Sequence, residues 1–544
     1  MSKQPEKKEG DRRTFLKWAG GAVAVAAAVA VGYSLRGPPP PEIVTRTETV
    51  TTVAPTTPTI VLPGTVSERA TAGAKALVDA GVVPRGTVLK LLHVAGSRAQ
   101  LAPFIPEWKS KTGIDVELVT VGNEPDIFTK LMAEATAKTG IYDMATVFST
   151  WMGDLVESGV VSNLDDYYRK YDPIGPPDVA PIEPLGSYTT MYKGKRYALD
   201  ADADVYTLTY RKDLFENEDY KAEFRSKFGY DLKAPDTWEQ AVDVASYFNG
   251  ENLKAPDGEK VYGAFFYAEP TFAAYTTWIT IFVSRGGILF SPKDMRSMVN
   301  SPEGVDALQL MVKITPYMHP EAVTGSWASL YQRYSEGKAA MAMAWPSLVK
   351  WAQDPATSKV VGLNLFAVVP GAKVTVGGQE QIVKAAINPV NWVGVVSNYS
   401  KYPEAAFLFL QWWTSPEIGY EVTPIKGIMD AYRANWFAEG SKERAHMELA
   451  YTPQFIDVFK ESIASSFPDL MLPGAYEYLD KLNKTINAAC AGTKDPKAGL
   501  DETAAAWEEI TDRLGRDKLL EAWKATIPLY PREVQDVWKA KGYV

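Results

Sequence analysis

Aromatic rings and carboxylates are the side chains with which this chain can do chemistry. It carries 15 Trp, 28 Tyr and 20 Phe, 12% of its residues, more flat apolar surface than a core ordinarily needs. Other reactive groups are scarce. His93, His319 and His446 are its three histidines and Cys490 its one cysteine, which argues against an imidazole or multi-thiolate metal site and excludes an intramolecular disulfide framework. The sequence holds no nucleophile elbow, no H-E-x-x-H helix, no P-loop and no Ser/His/Asp arrangement. What remains for catalysis is a pair of carboxylates flanking a glycosidic bond, with Glu124, Asp202, Asp204 and Glu269 as the pool. No metal, cofactor or catalytic residue is expected.

The elements that must position these groups are those of a folded soluble body. Over 544 residues, 46% are apolar and 23% charged, so neither a disordered chain nor a polytopic membrane protein fits. Lys and Arg number 57 against 66 Asp and Glu, a net charge of -9, which opposes binding to a phosphate backbone. Nucleic acid is not an expected partner. From Val88 the pattern alternates: an apolar strand 88–94, a helix 99–112, a strand 114–119, a helix 127–138 and a strand 142–148. That order at that spacing predicts a parallel α/β sheet. Ligands of such sheets bind beyond the carboxyl ends of the strands, which singles out the loops holding Ser97 and Arg98, Glu124, and Ser149 and Trp151.

Ahead of this body, Arg12-Arg13-Thr14-Phe15-Leu16 precedes an uncharged stretch from Trp18 to Leu35. This resembles a twin-arginine export signal. At about 1.5 Å per residue the stretch is also just long enough to cross a bilayer core, so residues 1–36 are expected to be an export signal or a membrane anchor. Residues 37–86, opening Pro38-Pro39-Pro40-Pro41 and rich in Thr, read as an extended stalk.

Further motifs carry a resemblance. They include Tyr210-Arg211-Lys212-Asp213-Leu214-Phe215, Pro235-Asp236-Thr237-Trp238-Glu239, Ser301-Pro302-Glu303-Gly304, Gly337-Lys338-Ala339-Ala340-Met341, Trp345-Pro346 and Tyr402-Pro403-Glu404-Ala405-Ala406. Several are helix starts in their own right, with Asp, Thr or Ser capping and Pro at the first helical position. In order and spacing they resemble the family 1 extracellular solute-binding proteins of ABC importers, the group of maltodextrin- and other sugar-binding proteins, over roughly residues 88–510. Asp200 departs from the family's proline, and the chain after about Asp512 has no counterpart in it.

The resemblance implies an α/β periplasmic-binding-protein fold: two lobes joined by hinge strands, with a ligand cleft between them. Lobe 1 is expected at 87–204 and 371–427, lobe 2 at 205–370 and 428–544, with crossing strands at 202–209 and 365–370. Asp202 and Asp204 then stand at the cleft floor. The family's cleft aromatics map to Trp345, to Tyr275 and Trp278, and to Tyr476, and its strand returning to lobe 1 to Asn391 and Trp392. Aromatic faces against sugar C–H surfaces, with carboxylates for the hydroxyls, make a carbohydrate site. The implied function is capture of a carbohydrate outside the cytoplasm by a monomer that hands it to permease subunits, without chemistry on it. A glycoside hydrolase, a surface sensor, or a binder of a polyol, glycerophosphodiester or peptide are the alternatives.

Overall fold

The computed structural model describes residues 64–172 and 180–544. The export signal and the first part of the stalk lie outside them. The three apolar runs are strands Val88–Val94, Asp115–Val121 and Met144–Phe148, paired in parallel with Val88–Val94 in the middle. Met144–Phe148 is buried along its whole length, as befits a strand covered on both faces. Two later segments extend the sheet: Trp392–Val396 runs antiparallel to Met144–Phe148, and Ala198–Asp200 runs antiparallel to Trp392–Val396. Helix Pro403–Trp413 closes one face, its Phe409 and Trp412 packing on Trp108 at 5.3 and 5.5 Å between ring centres.

The second lobe is built on an antiparallel sheet in which Thr207–Arg211 lies between Met341–Ala344 and Asn364–Val368. Helices Trp238–Gly250, Ala274–Ser284 and Pro302–Ile314 surround it. Thr237 caps the first of these through a capping box with Gln240, and Ser301 accepts from the Gly304 N–H at the start of the third, which fixes where each helix begins.

Three expected boundaries are displaced. Residues 365–370 do not cross between lobes, since Asn364–Val368 is an edge strand of the second sheet. The chain then folds back as the hairpin Ala372–Val376/Gln379–Val383, whose Gly377 and Gly378 both have positive φ, the conformation a two-residue turn requires. Gly371 holds this hairpin to the second lobe through the Asp236 carbonyl and the Trp238 N–H. The second crossing is therefore 386–391, between the short strand Ala386–Asn388 and Trp392. The first lobe also keeps the chain past 427: Tyr432 Oη and Arg433 donate to the Thr414 carbonyl, and only after them does Phe437 pack on Phe459 of a helix lying on Asn364–Val368.

The stalk expected through residue 86 is corrected in its second part. Val66–Asp79 is a helix opened by a Thr65/Glu68 capping box, and it buries Ala70, Ala74, Leu77 and Val78 in the core that holds Leu408 and Trp412. Its small apolar residues at helical spacing sit close on helix Pro403–Trp413. At the other end, helices Pro496–Leu514, Arg516–Thr526 and Arg532–Ala540 cover the second lobe. Each contributes a buried tryptophan whose indole donates to a carbonyl: Trp507 to Tyr478, Trp523 to Phe290 and Trp538 to Gly287.

Candidate functional site

Between the lobes lies a small chamber whose lining comes from both of them. Its walls are largely aromatic. Phe148 comes from the end of a first-lobe strand and Trp392 from the strand beside it, their rings 4.6 Å apart. Phe272 faces Phe148 at 5.7 Å and Trp345 at 6.1 Å, while Trp327 and Tyr331 form a second pair at 5.4 Å. Trp345 follows directly on strand Met341–Ala344, which fixes its ring at the cleft, edge-on to Tyr206. Val390 also lines the chamber, and its φ of 65° is a left-handed conformation that β-branched residues rarely adopt.

Two carboxyl groups face this apolar space: Glu124 and Asp204. Glu124 is 4% exposed, and burial pushes its pKa up to about 7 against the opposing pull of its own backbone N–H and a hydrogen bond with Trp327, Glu269 adding to the rise. Glu269 itself is capped by the backbone N–H groups of Thr271, Phe272 and Ala273. Asp204 belongs to a buried trio with Asp202 and Asp430, whose oxygens lie within 4.8 Å of one another. Burial raises all three, and mutual repulsion raises Asp202 and Asp204 further. Asp202 and Asp204 share a hydrogen bond between their carboxyls, with Asp204 as the protonated partner, no N–H of the described protein reaches Asp204 Oδ2 or Asp430 Oδ2, and no acceptor reaches Trp345 Nε1. The trio is close enough to share an ion, but the Lys350 ammonium already stands 3.0 Å from Asp430.

The trio also ties the crossing segments together. Asp202 accepts from the backbone of Ala203 and Asp430, and the Asp204 N–H donates to Asn388 Oδ1 at 3.1 Å and Asn391 Oδ1 at 3.3 Å. A second small chamber adjoins the first. Phe148, Phe272 and Val390 line both. Tyr476 stacks on Phe128 there at 4.5 Å, and Tyr275 donates to Asp469. The lobes touch at this end: Asp154 accepts from the Gly474 N–H and Thr150 donates to the Leu470 carbonyl.

Of the residues singled out in the sequence, Glu124, Asp204, Trp345 and Trp392 line the first chamber, and Trp151, Tyr275 and Tyr476 the second. Asp202 and Asn391 stand behind Asp204 as hinge supports. Those two line neither chamber, and four more lie away from both. Ser97 is fully buried, its hydroxyl 2.7 Å from His93 Nε2, while Arg98 is exposed. Ser149 is tied through its N–H to the carbonyls of Val390 and Asn391. Trp278 is a core residue, stacked on Phe282 at 4.5 Å with its indole donating to Gly304. The sequence reasoning missed Trp327 and Tyr331. Their signal was a capped start at Ser326 that places both on one face of a short helix.

Comparison with known proteins agrees with this architecture. The bacterial extracellular solute-binding protein family matches residues 95–420. A probable amino-acid ABC transporter periplasmic-binding protein of Sinorhizobium fredii is 25% identical over 343 residues, 61% of this chain and 70% of that one. An ABC transporter solute-binding protein from Agrobacterium radiobacter in complex with ribitol shares 23% identity, covering 79% of this chain and all of the other at a TM-score of 0.64. One from Agrobacterium vitis with bound D-mannitol shares 20%, covering 79% and 99%, also at 0.64. Maltose-bound MalE3 of T. maritima shares 16%, covering 78% and 100%, at 0.63. With two α/β lobes, a chamber between them and a family match over more than half its length, the chain belongs to the bacterial extracellular solute-binding proteins.

Proposed function

We propose that this protein captures a small polyhydroxylated solute, a sugar or polyol, between its lobes outside the cytoplasm and presents it to the permease of an ABC transporter without altering it. The observation that carries the reading is the aromatic chamber, lined by the Asp204 carboxyl and by Trp345, whose buried indole N–H lacks an acceptor. Buried polar atoms left this way cost about 1–3 kcal/mol each, and a hydroxyl, which both donates and accepts, satisfies either kind. The neighbours that hold ribitol, D-mannitol and maltose share the fold, which supports this solute class. Export through the twin-arginine segment, tethering by residues 1–36 and a monomeric state complete the proposal.

The test is a thermal-shift screen against monosaccharides, polyols and maltodextrins. A stabilising hit returned chemically intact after long incubation supports capture. Cleavage of a bound oligosaccharide that disappears in Glu124→Gln or Asp204→Asn establishes a hydrolase instead.

A further inference from the structure

The charge at the cleft is one-sided. Glu124 and Asp204 line the first chamber, and among the described residues that line either chamber there is no Lys, Arg or His. Behind Asp204 stand Asp202 and Asp430, both buried. The nearest counter-charge, Lys350, is 1% exposed on its side chain and committed to Asp430 and to the carbonyls of Thr423 and Met429. Three carboxyls thus meet one ammonium at the floor, and Glu124 adds another carboxyl to the same chamber. Glu269, also nearby, is satisfied by three backbone amides, whereas no amide or cation of the described protein reaches Asp204 Oδ2.

Around this acidic floor stand six aromatic rings: Phe148, Phe272, Trp327, Tyr331, Trp345 and Trp392. A ring face carries the negative end of its quadrupole and attracts a cation within about 6 Å, more strongly when water is excluded. Carboxylates and aromatic faces therefore act in the same direction. Burial disfavours the charged form of these carboxyls, and an ammonium group placed among them restores it and pairs both with it and with the ring faces, which a neutral hydroxyl does not.

We infer that the solute of this cleft carries a cationic nitrogen: an amine-bearing sugar or polyol whose ammonium group lies between Glu124 and Asp204 inside the aromatic wall. This rests on the capture reading above and narrows its solute class.

The experiment is calorimetric titration of the full-length protein with two pairs of solutes that differ by one hydroxyl replaced with an ammonium: D-glucosamine against D-glucose, and 1-amino-1-deoxy-D-sorbitol against D-sorbitol. The inference expects at least one amine to bind tenfold or more tighter than its neutral partner. It expects that preference to fall to within about threefold in Glu124→Gln and in Asp204→Asn, both checked for an unchanged fold by circular dichroism. Should one of the two variants fail to fold, the other alone carries the comparison. Neutral partners that bind as tightly as the amines, or more tightly, overturn the inference and leave solute capture standing. Silence from all four overturns it for sugar-sized solutes, while the wider neutral screen decides capture separately. A preference unchanged in both variants also overturns it.

Discussion

Trp345 shows how far a single residue was legible. Its position after the small-residue strand Met341–Ala344 and before Pro346 marks a strand end, and the structure puts its ring on the chamber wall with Nε1 unpartnered. Trp345→Ala is expected to weaken solute binding tenfold or more, since about 1.4 kcal/mol per decade is within reach of one aromatic anchor. Calorimetry checks this, and the unfolding midpoint of the ligand-free variant separates lost contact from lost fold. Trp278 was misplaced because position relative to a motif does not reveal which face of a helix points inward; in Ala274–Ser284 every residue is buried, so burial gave no contrast to read. Glu124 gives a prediction with a sign. Its pKa is raised from 4.5 to about 7, so the folded state holds its proton more tightly than the unfolded chain does, and stability present below about pH 4.5 is lost as pH rises through 7. Glu124→Gln should therefore melt higher than the parent near pH 8, with the gain vanishing near pH 4. A variant that melts no higher than the parent near pH 8 contradicts the burial of that charge.

At the scale of elements, the hinge segment 389–391 is the part the sequence concealed. Nothing in Pro389-Val390-Asn391 announces a valine at φ 65° followed by an asparagine at φ 22°. Such backbone is held by its surroundings at a cost of about 1–3 kcal/mol. Ser149 supplies part of that hold, its N–H donating to the carbonyls of both residues. The expected signature is an inverted order: Val390→Gly should be more stable than Val390→Ala by about 1 kcal/mol, because alanine keeps the left-handed penalty and glycine does not. Urea denaturation of the two variants decides it. The chain after about Asp512 carries no motif of the family, yet its helices pack on the second lobe, to which 428–544 are assigned. Trp523→Ala removes a buried ring and the donor to the Phe290 carbonyl, and should destabilise by about 3–5 kcal/mol while leaving solute affinity intact, because that ring lies in neither chamber. A paired melting and binding measurement shows whether the two effects separate. Helix Val66–Asp79 was masked by its neighbours in sequence: a Pro/Thr tract runs into it, although the Thr65/Glu68 box and its apolar spacing were there to be read.

For the whole molecule, periodicity sufficed for the parallel sheet of the first lobe, because strands 88–94, 115–121 and 144–148 alternate with helices at the spacing that such a sheet demands, whereas the two-lobed plan came from the family resemblance. Which segments cross between lobes was not legible. Crossing is decided by long-range pairing, such as Trp392 opposite Phe148, and not by any local preference. In the structure the lobes touch through Asp154 and Gly474, and through Phe128 and Tyr476, while the hinge is gathered at Asp202, Asp204 and Asp430. That arrangement fits a closed state, and a solute held between the lobes stabilises such a state only through contacts made there. Small-angle scattering on the purified protein, with and without a saturating solute found by the thermal-shift screen, tests this most directly. The account predicts a smaller radius of gyration with solute bound, and a loss of that change in Trp345→Ala at the same solute concentration. Superimposable curves at proven saturation would contradict capture by closure.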